Sequence, residues 1–342
     1  MERSEFVFEL HACRWAELRW PPDRPRGDHR IVVARQLGDR RRRWDTIVLE
    51  CDPAGLAARR QFGPDRLDGD LLHVVRDAPA TWAWYRDCLP HPGYPWRYVR
   101  EAIHRAADRE ILDTRKRDRK LEIRRRFAYP DWVDRIVAIE HKPDLTASAA
   151  DRLAEQLQYD VALGLADEVW LATRETGDAI PPAFFETMPV EAGILALDLP
   201  DGDGRVLWHP RTLPVDRTGT RILERPAGGE HDRSAARFEV VDPVAKATTR
   251  LEIAERAYER GWRAVLEHMR TDCRHCTLAM DTLTHEPRCR AKGRPQRAAE
   301  CHGGCPEFSP EPPGWRTRGW PIEGGPGRAM KRLYTRQRER RR

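Results

Sequence analysis

The 342-residue sequence contains no apolar run approaching the roughly 20 residues needed to cross a bilayer. Its first residues include Glu2, Arg3, Glu5 and Glu9, where a secretory leader requires an unbroken apolar stretch, so a cytoplasmic location is expected. No internal repeat is evident, which excludes a solenoid. A surplus of one charge is also missing. The 61 Lys and Arg stand against 55 Asp and Glu, a formal net charge of +6, so the surface carries both signs rather than a uniform cationic coat. Cysteine is sparse until the C-terminal region, and Cys13, Cys51 and Cys88 are scattered like ordinary buried thiols. What remains is a chain 40% hydrophobic and 34% charged, long enough to bury a sizeable core in two or three modules.

The apolar periodicity divides the chain. In "SEFVFELHACRWAEL", Phe6, Leu10, Cys13 or Trp15, and Leu18 fall at helical spacing. "RIVVARQLG" and "WDTIVLECD" are β-branched runs separated by the basic "DRRRR", a predicted hairpin stopped by Pro53 and Gly55. Further on, Val99, Ile103 and Ala106 mark a one-sided helix, and "REILDTRKRDRKLEIRRRF" reads as two strands about a charged turn. A helix followed by a basic β-ribbon resembles the second half of a winged helix-turn-helix unit, whose wing touches the DNA backbone. Basic residues bunch at 40–43, 115–126 and 328–342, as phosphate contacts require.

"DRIVAIEHKPDL" (134–145) poses the functional question. Ile136, Val137, Ala138 and Ile139 make a buried strand that runs straight into Glu140, His141 and Lys142. Burying a carboxylate or an ammonium is expensive unless each is paired. On a strand Glu140 and Lys142 share a face and His141 points away. Next comes a predicted helix, "TASAADRLAEQLQYDVALGLA", with Ser148 and Asp151 at capping positions and Leu153, Leu157, Val161 and Leu165 as its stripe. "DEVWLAT" then reads as a strand, and "AGILALDLPDGDGRVLWHP" as a hairpin.

With residues from about 60 to 128 set aside, the order is helix, strand, strand, strand ending in Glu140-His141-Lys142, helix, strand. This order and the "EHK" tripeptide resemble the PD-(D/E)xK nuclease superfamily, which includes restriction endonucleases, Holliday-junction resolvases and RecB-type nucleases. The resemblance implies that Glu140 and an upstream aspartate hold Mg²⁺ or Mn²⁺ while Lys142 stabilises charge or helps deprotonate water. Two residues compete for the aspartate. Asp131, in the literal Pro-Asp of "YPDW", is favoured by proximity in sequence; Asp45, in "RRWDTIVLE", is favoured by the strand order. Asp144 is a lesser option. Gln156 and Tyr159 resemble the Gln and Tyr that some relatives carry on the following helix, and Glu5 or Glu9 could supply the extra acidic residue found in some first helices. Phrases such as "VARQLG", "YPDW", "IEHKPDL" and "RAYERGW" also resemble an uncharacterised family known mainly from halophilic archaea, though the basic balance here departs from the acidic composition expected there.

The remaining cysteines crowd into "CRHCTLAMDTLTHEPRCRAKGRPQRAAECHGGC": Cys273, Cys276, Cys289, Cys301 and Cys305, with His302 between the last two. Such crowding points to metal rather than disulfides in a reducing compartment. Cys273, Cys276, Cys301 and Cys305 form the simplest zinc set, with Cys289 spare; an iron-sulfur cluster is the rival. The expected architecture is therefore α/β (α+β): a restriction endonuclease-like mixed sheet flanked by helices (1–60 and 129–215), a winged-helix-like insertion (61–128), a linker and helix (216–270), a Cys-rich metal-binding segment (271–310) and a disordered basic tail (311–342). The function expected from it is phosphodiester hydrolysis on nucleic acid, DNA in preference. The alternative is a non-catalytic DNA-binding or regulatory protein that uses the winged-helix-like unit and a structural zinc site.

Overall fold

A computed structural model describes residues 5–25, 27–63, 67, 69–145, 147–175, 186–198, 202–224, 236–263, 269–270, 273–279, 286–301 and 304–309. His302 and the basic tail lie outside the described residues, as do the side chains of Ser148 and Asp151.

The chain opens with α1 (Glu5–Arg19), followed by the predicted hairpin β1 (Arg30–Gly38) and β2 (Arg43–Cys51). Gly38 allows the tight return: a Cβ there would lie 2.1 Å from the Arg42 carbonyl. Asp52 then caps α2 (Pro53–Arg59) by accepting from the Gly55 N–H, with Pro53 at the first helical position. After the inserted unit come β6 (Val133–His141), α6 (Ala147–Leu163), β7 (Glu168–Arg174), and the hairpin strands β8 (Gly193–Asp198) and β9 (Asp203–Trp208). These strands form one mixed six-stranded sheet in the order β1-β2-β6-β7-β8-β9. β1, β2 and β6 are antiparallel neighbours, β7 and β8 run parallel to β6, and β9 turns back. The parallel β6–β7 step follows from the α6 crossover between them.

Both faces of the sheet are buried, which is why its strands read as nearly continuous apolar runs. One face packs Phe8, Cys13, Val48, Val137, Ile139 and Leu195 beneath α1. The other packs Ile47, Leu49, Ala138, Leu157 and Leu171 together with Ile253, Ala257 and Tyr258. Those last three belong to α7 (Pro243–Arg260), capped by Asp242 and ended by Gly261 at φ 66°. The stretch read from sequence as linker and helix is thus partly structural: β10 (Gly219–Glu224) pairs with β11 (Arg237–Val241), and α7 covers the main sheet. The apolar stripe of α7 needed a partner, and the sheet supplied it.

The unit inserted between β2 and β6 has its own core, built from residues such as Leu71, Val75, Val99, Ile103 and Ile123. Its elements are α3 (Gly69–Val75), the short β3 (Ala83–Trp84), α4 (Tyr85–Cys88), α5 (Trp96–Asp108) and the hairpin β4 (Leu112–Arg117) and β5 (Lys120–Arg125), with strand order β3-β5-β4. Val99, Ala102, Ile103 and Ala106 form the buried stripe of α5. Towards the C-terminus, β12 (Cys276–Ala279), β13 (Glu286–Cys289) and β14 (Arg294–Pro295) make a small antiparallel sheet. Cys273 and Cys276 pack into the α1-side core.

Candidate functional site

The site forms where the C-terminal end of β6 meets the N-terminal end of β2. Thr46 pairs with Ile139, so one further step of the ladder sets Asp45 against Glu140. In place of a backbone bond, the Asp45 Oδ2 accepts from the His141 N–H at 2.9 Å, joining residues 96 apart in sequence. The Lys142 N–H donates to Ala172 at 2.9 Å. This extends the β6–β7 ladder by one residue and puts Lys142 on the Glu140 side of the pleat.

Asp131 does not join them. It is exposed and precedes the start of β6, where its carbonyl packs against Gly55; nine residues of extended chain, roughly 30 Å at the usual strand rise, separate it from Glu140. The insertion explains the difference: cross-strand pairing, not sequence distance, selects the neighbouring aspartate. Gln156 is exposed and Tyr159 half-buried on α6. Asp144 is exposed and lies 3.8 Å from Arg174.

The residue of α6 that reaches the site is Asp160, which the Gln and Tyr resemblance does not single out. It lies three residues after Leu157 and seven after Leu153, on the buried stripe, and a carboxylate on an apolar stripe is the signal that could have found it. Arg42, from the β1–β2 turn, joins the two acids. Its Nη2 lies 2.7 Å from Glu140 Oε1 and 3.1 Å from Asp160 Oδ2, and its Nε donates to both Asp160 oxygens at 3.2 Å. Glu140 is 5% exposed and Asp160 3%. Burial pushes Glu140 up to about 8; the Asp45 charge adds to this and Arg42 opposes it. Burial likewise raises Asp160 to about 6 against the pull of Arg42.

On the α1 side a polar cavity of about 300 Å³ is lined by Glu5, Glu9, Arg35, Gln36, Asp45 and His141, among others. Arg35 grips Glu9 through paired hydrogen bonds at 3.0 and 2.6 Å. The Gln36 amide bridges Glu9 and Asp45 at 2.7 and 3.1 Å. Gln36 holds φ at 55°, a left-handed backbone in a non-glycine residue that costs free energy and tends to cluster at functional sites. The His141 ring stands edge-on to Phe8, is 4% exposed and, among the described residues, has no hydrogen-bond partner at either nitrogen. Burial lowers its pKa, so the ring is held neutral.

Carboxylates on adjacent strands supply the oxygen donors that a hard divalent ion takes. Among the described residues no three His, Cys, Asp or Glu side chains lie close enough to hold a metal by themselves, and the cation that Glu140 touches is Arg42. In the Cys-rich segment, Cys276 hydrogen-bonds Cys301, and Cys273 and Cys289 stand near enough to push its thiol pKa up. Cys276 faces Cys289 across β12 and β13. Cys289, set aside in the simplest zinc set, thus stands beside Cys276 in this group.

Fold and site together define a mixed α+β protein with a sheet-end acidic cluster. The chain belongs to the Family of unknown function (DUF5787), whose profile matches residues 32–310. Comparison with curated proteins and with solved structures gives no match. Among the described residues, no helix is long and apolar enough to cross a membrane.

Proposed function

We propose that the chain is a cytoplasmic, metal-dependent nuclease or nuclease-like DNA-processing protein built on a PD-(D/E)xK core. One observation carries this reading: Asp45 and Glu140, far apart in sequence, become cross-strand neighbours, with Lys142 two residues further on the same ladder. The order α1-β1-β2-β6-α6-β7, with its antiparallel and parallel pairings, supports it. Asp45 and Glu140 would hold Mg²⁺ or Mn²⁺, which when bound polarises a phosphodiester and orients water. Lys142 would then stabilise charge developing on the phosphate.

The inserted unit supports a DNA partner. Its helix, short strand, two helices and hairpin follow winged-helix order, and the hairpin exposes Arg115, Lys116, Arg117, Arg119 and Lys120. Arg115 and Arg124 each place a guanidinium within 5 Å of the Trp82 ring, which holds two cations at the hairpin surface. The thiols around Cys276 would hold zinc, or an iron-sulfur cluster, as a structural staple; bound zinc, iron and acid-labile sulfide in the purified protein distinguish these.

The test is a cleavage panel of duplex, branched and single-stranded DNA and RNA with Mg²⁺ and Mn²⁺. Cleavage abolished by Asp45→Asn, Glu140→Gln and Lys142→Ala is expected; cleavage that survives all three refutes the assignment. The salt bridge from Arg42 to Glu140 favours a second reading, a DNA-binding protein on a non-catalytic core. Wild-type protein that binds DNA with steep salt dependence but cuts nothing would establish it.

A further inference from the structure

The cation already seated beside Glu140 has an asymmetric grip. Within the guanidinium, Nη2 alone reaches Glu140, at 2.7 Å, whereas Nη2 and Nε together engage both oxygens of Asp160 at 3.1 to 3.2 Å. The fork is seated on Asp160 and only its tip touches Glu140. Its backbone is also held: the Asp39 carboxylate accepts from the N–H groups of Arg41 and Arg42 at 2.8 and 2.6 Å, and Arg42 Nη1 donates to the Arg43 carbonyl at 2.9 Å. Release of Glu140 would therefore leave Arg42 paired and in place.

We propose that Arg42 is the resident counter-cation of this site, that an entering divalent ion takes Glu140 from it, and that Asp160 is the positioning residue that keeps the guanidinium when Glu140 is surrendered. This rests on the reading of Asp45 and Glu140 as metal ligands. A guanidinium on Glu140 competes with the ion for the same oxygen, so Arg42 weakens metal binding. Asp160 has the opposite effect, because it gives the displaced guanidinium a charge-assisted partner in a buried place where an unpaired charge is costly. The two residues form one ion pair, yet removing them should move metal affinity in opposite directions.

The experiment titrates Mn²⁺ into the full chain and follows the free-ion electron paramagnetic resonance signal, with circular dichroism to establish folding. Arg42→Gln should bind Mn²⁺ about tenfold more tightly than wild type, and Asp160→Asn about tenfold more weakly, a change of about 1.4 kcal/mol in each direction. Glu140→Gln should abolish binding in either background. Should Arg42→Gln not fold, Arg42→Lys takes its place; one ammonium cannot span both acids as the fork does, so it too should bind more tightly than wild type. A merely structural pair would weaken binding in both variants, and that outcome overturns the exchange. Glu140-dependent Mn²⁺ binding that neither the Arg42 nor the Asp160 substitution alters also overturns it, while leaving the metal reading intact. No Mn²⁺ binding in wild type or the Arg42 variants overturns both.

Discussion

Replacing Glu140 with Gln should make the protein more stable, increasingly so as pH rises. The side chain is 5% exposed, and its carboxyl, ordinarily near 4.5, is pushed up to about 8 by burial and by the adjacent Asp45. A carboxyl with a raised folded value favours the fold while protonated. That contribution is complete below the unfolded value and is lost as pH climbs through the folded one. At about 1.4 kcal/mol per pH unit the full window amounts to about 4–5 kcal/mol, and local relaxation around a buried charge reduces this to about 3 kcal/mol. Gln has the shape of the protonated acid, stays neutral and still offers Arg42 an acceptor. Urea denaturation of both proteins in chelator from pH 5 to 9 should therefore give stabilities within about 1 kcal/mol at pH 5, with the variant ahead by about 3 kcal/mol at pH 8.5. Asp160 titrates in both proteins, so its own contribution enters both curves. Parallel curves, with no gap opening above pH 6, would refute the electrostatic account of this site.

Elsewhere in the core, Arg59 and Glu255 form an ion pair with exposures of 0% and 1%, joined by Trp132 and Tyr129. Glu255→Gln strands a buried guanidinium and should cost about 3–5 kcal/mol in chemical denaturation; a loss below about 1 kcal/mol would mean that water reaches the pair. Gly55→Ala puts a Cβ 2.2 Å from the Asp131 carbonyl, and overpacking of this kind should cost about 1–3 kcal/mol, read as a lowered Tm, with an unchanged Tm contradicting the close approach. Reversing charge on the exposed hairpin with Arg115→Glu and Lys120→Glu should weaken DNA binding and flatten its logarithmic salt dependence by about 0.9 for each phosphate no longer neutralised. An unaltered slope would take the hairpin out of the interface.

Local pattern made much of the frame legible. α1, the β1–β2 hairpin, β6, α6 and β7 all follow from apolar periodicity, because a helix or strand with one buried face writes its own period into the chain. Glu140 and Lys142 were legible for the same reason: charges that terminate an apolar strand are conspicuous. Asp160 was not, since "EQLQYD" draws the eye to Gln156 and Tyr159, and only the packing of α6 shows which residue lies beneath.

The sequence by itself determined α1, the β1–β2 hairpin, α5 with the β4–β5 ribbon, and β6 to β9 with α6, and that an acidic residue and a lysine end the central strand; the β10–β11 pair in the expected linker was not read from it. Tertiary structure alone decided that Asp45 rather than Asp131 is their neighbour, that Arg42 and Asp160 complete the cluster, that α7 covers the sheet, and that Cys289 stands with Cys276. The physical reason is range. Periodicity is set by the 3.6- or 2-residue repeat of the backbone, whereas these partnerships are made by burial of apolar faces across an inserted unit, and nothing in the local sequence encodes the distance such burial will span.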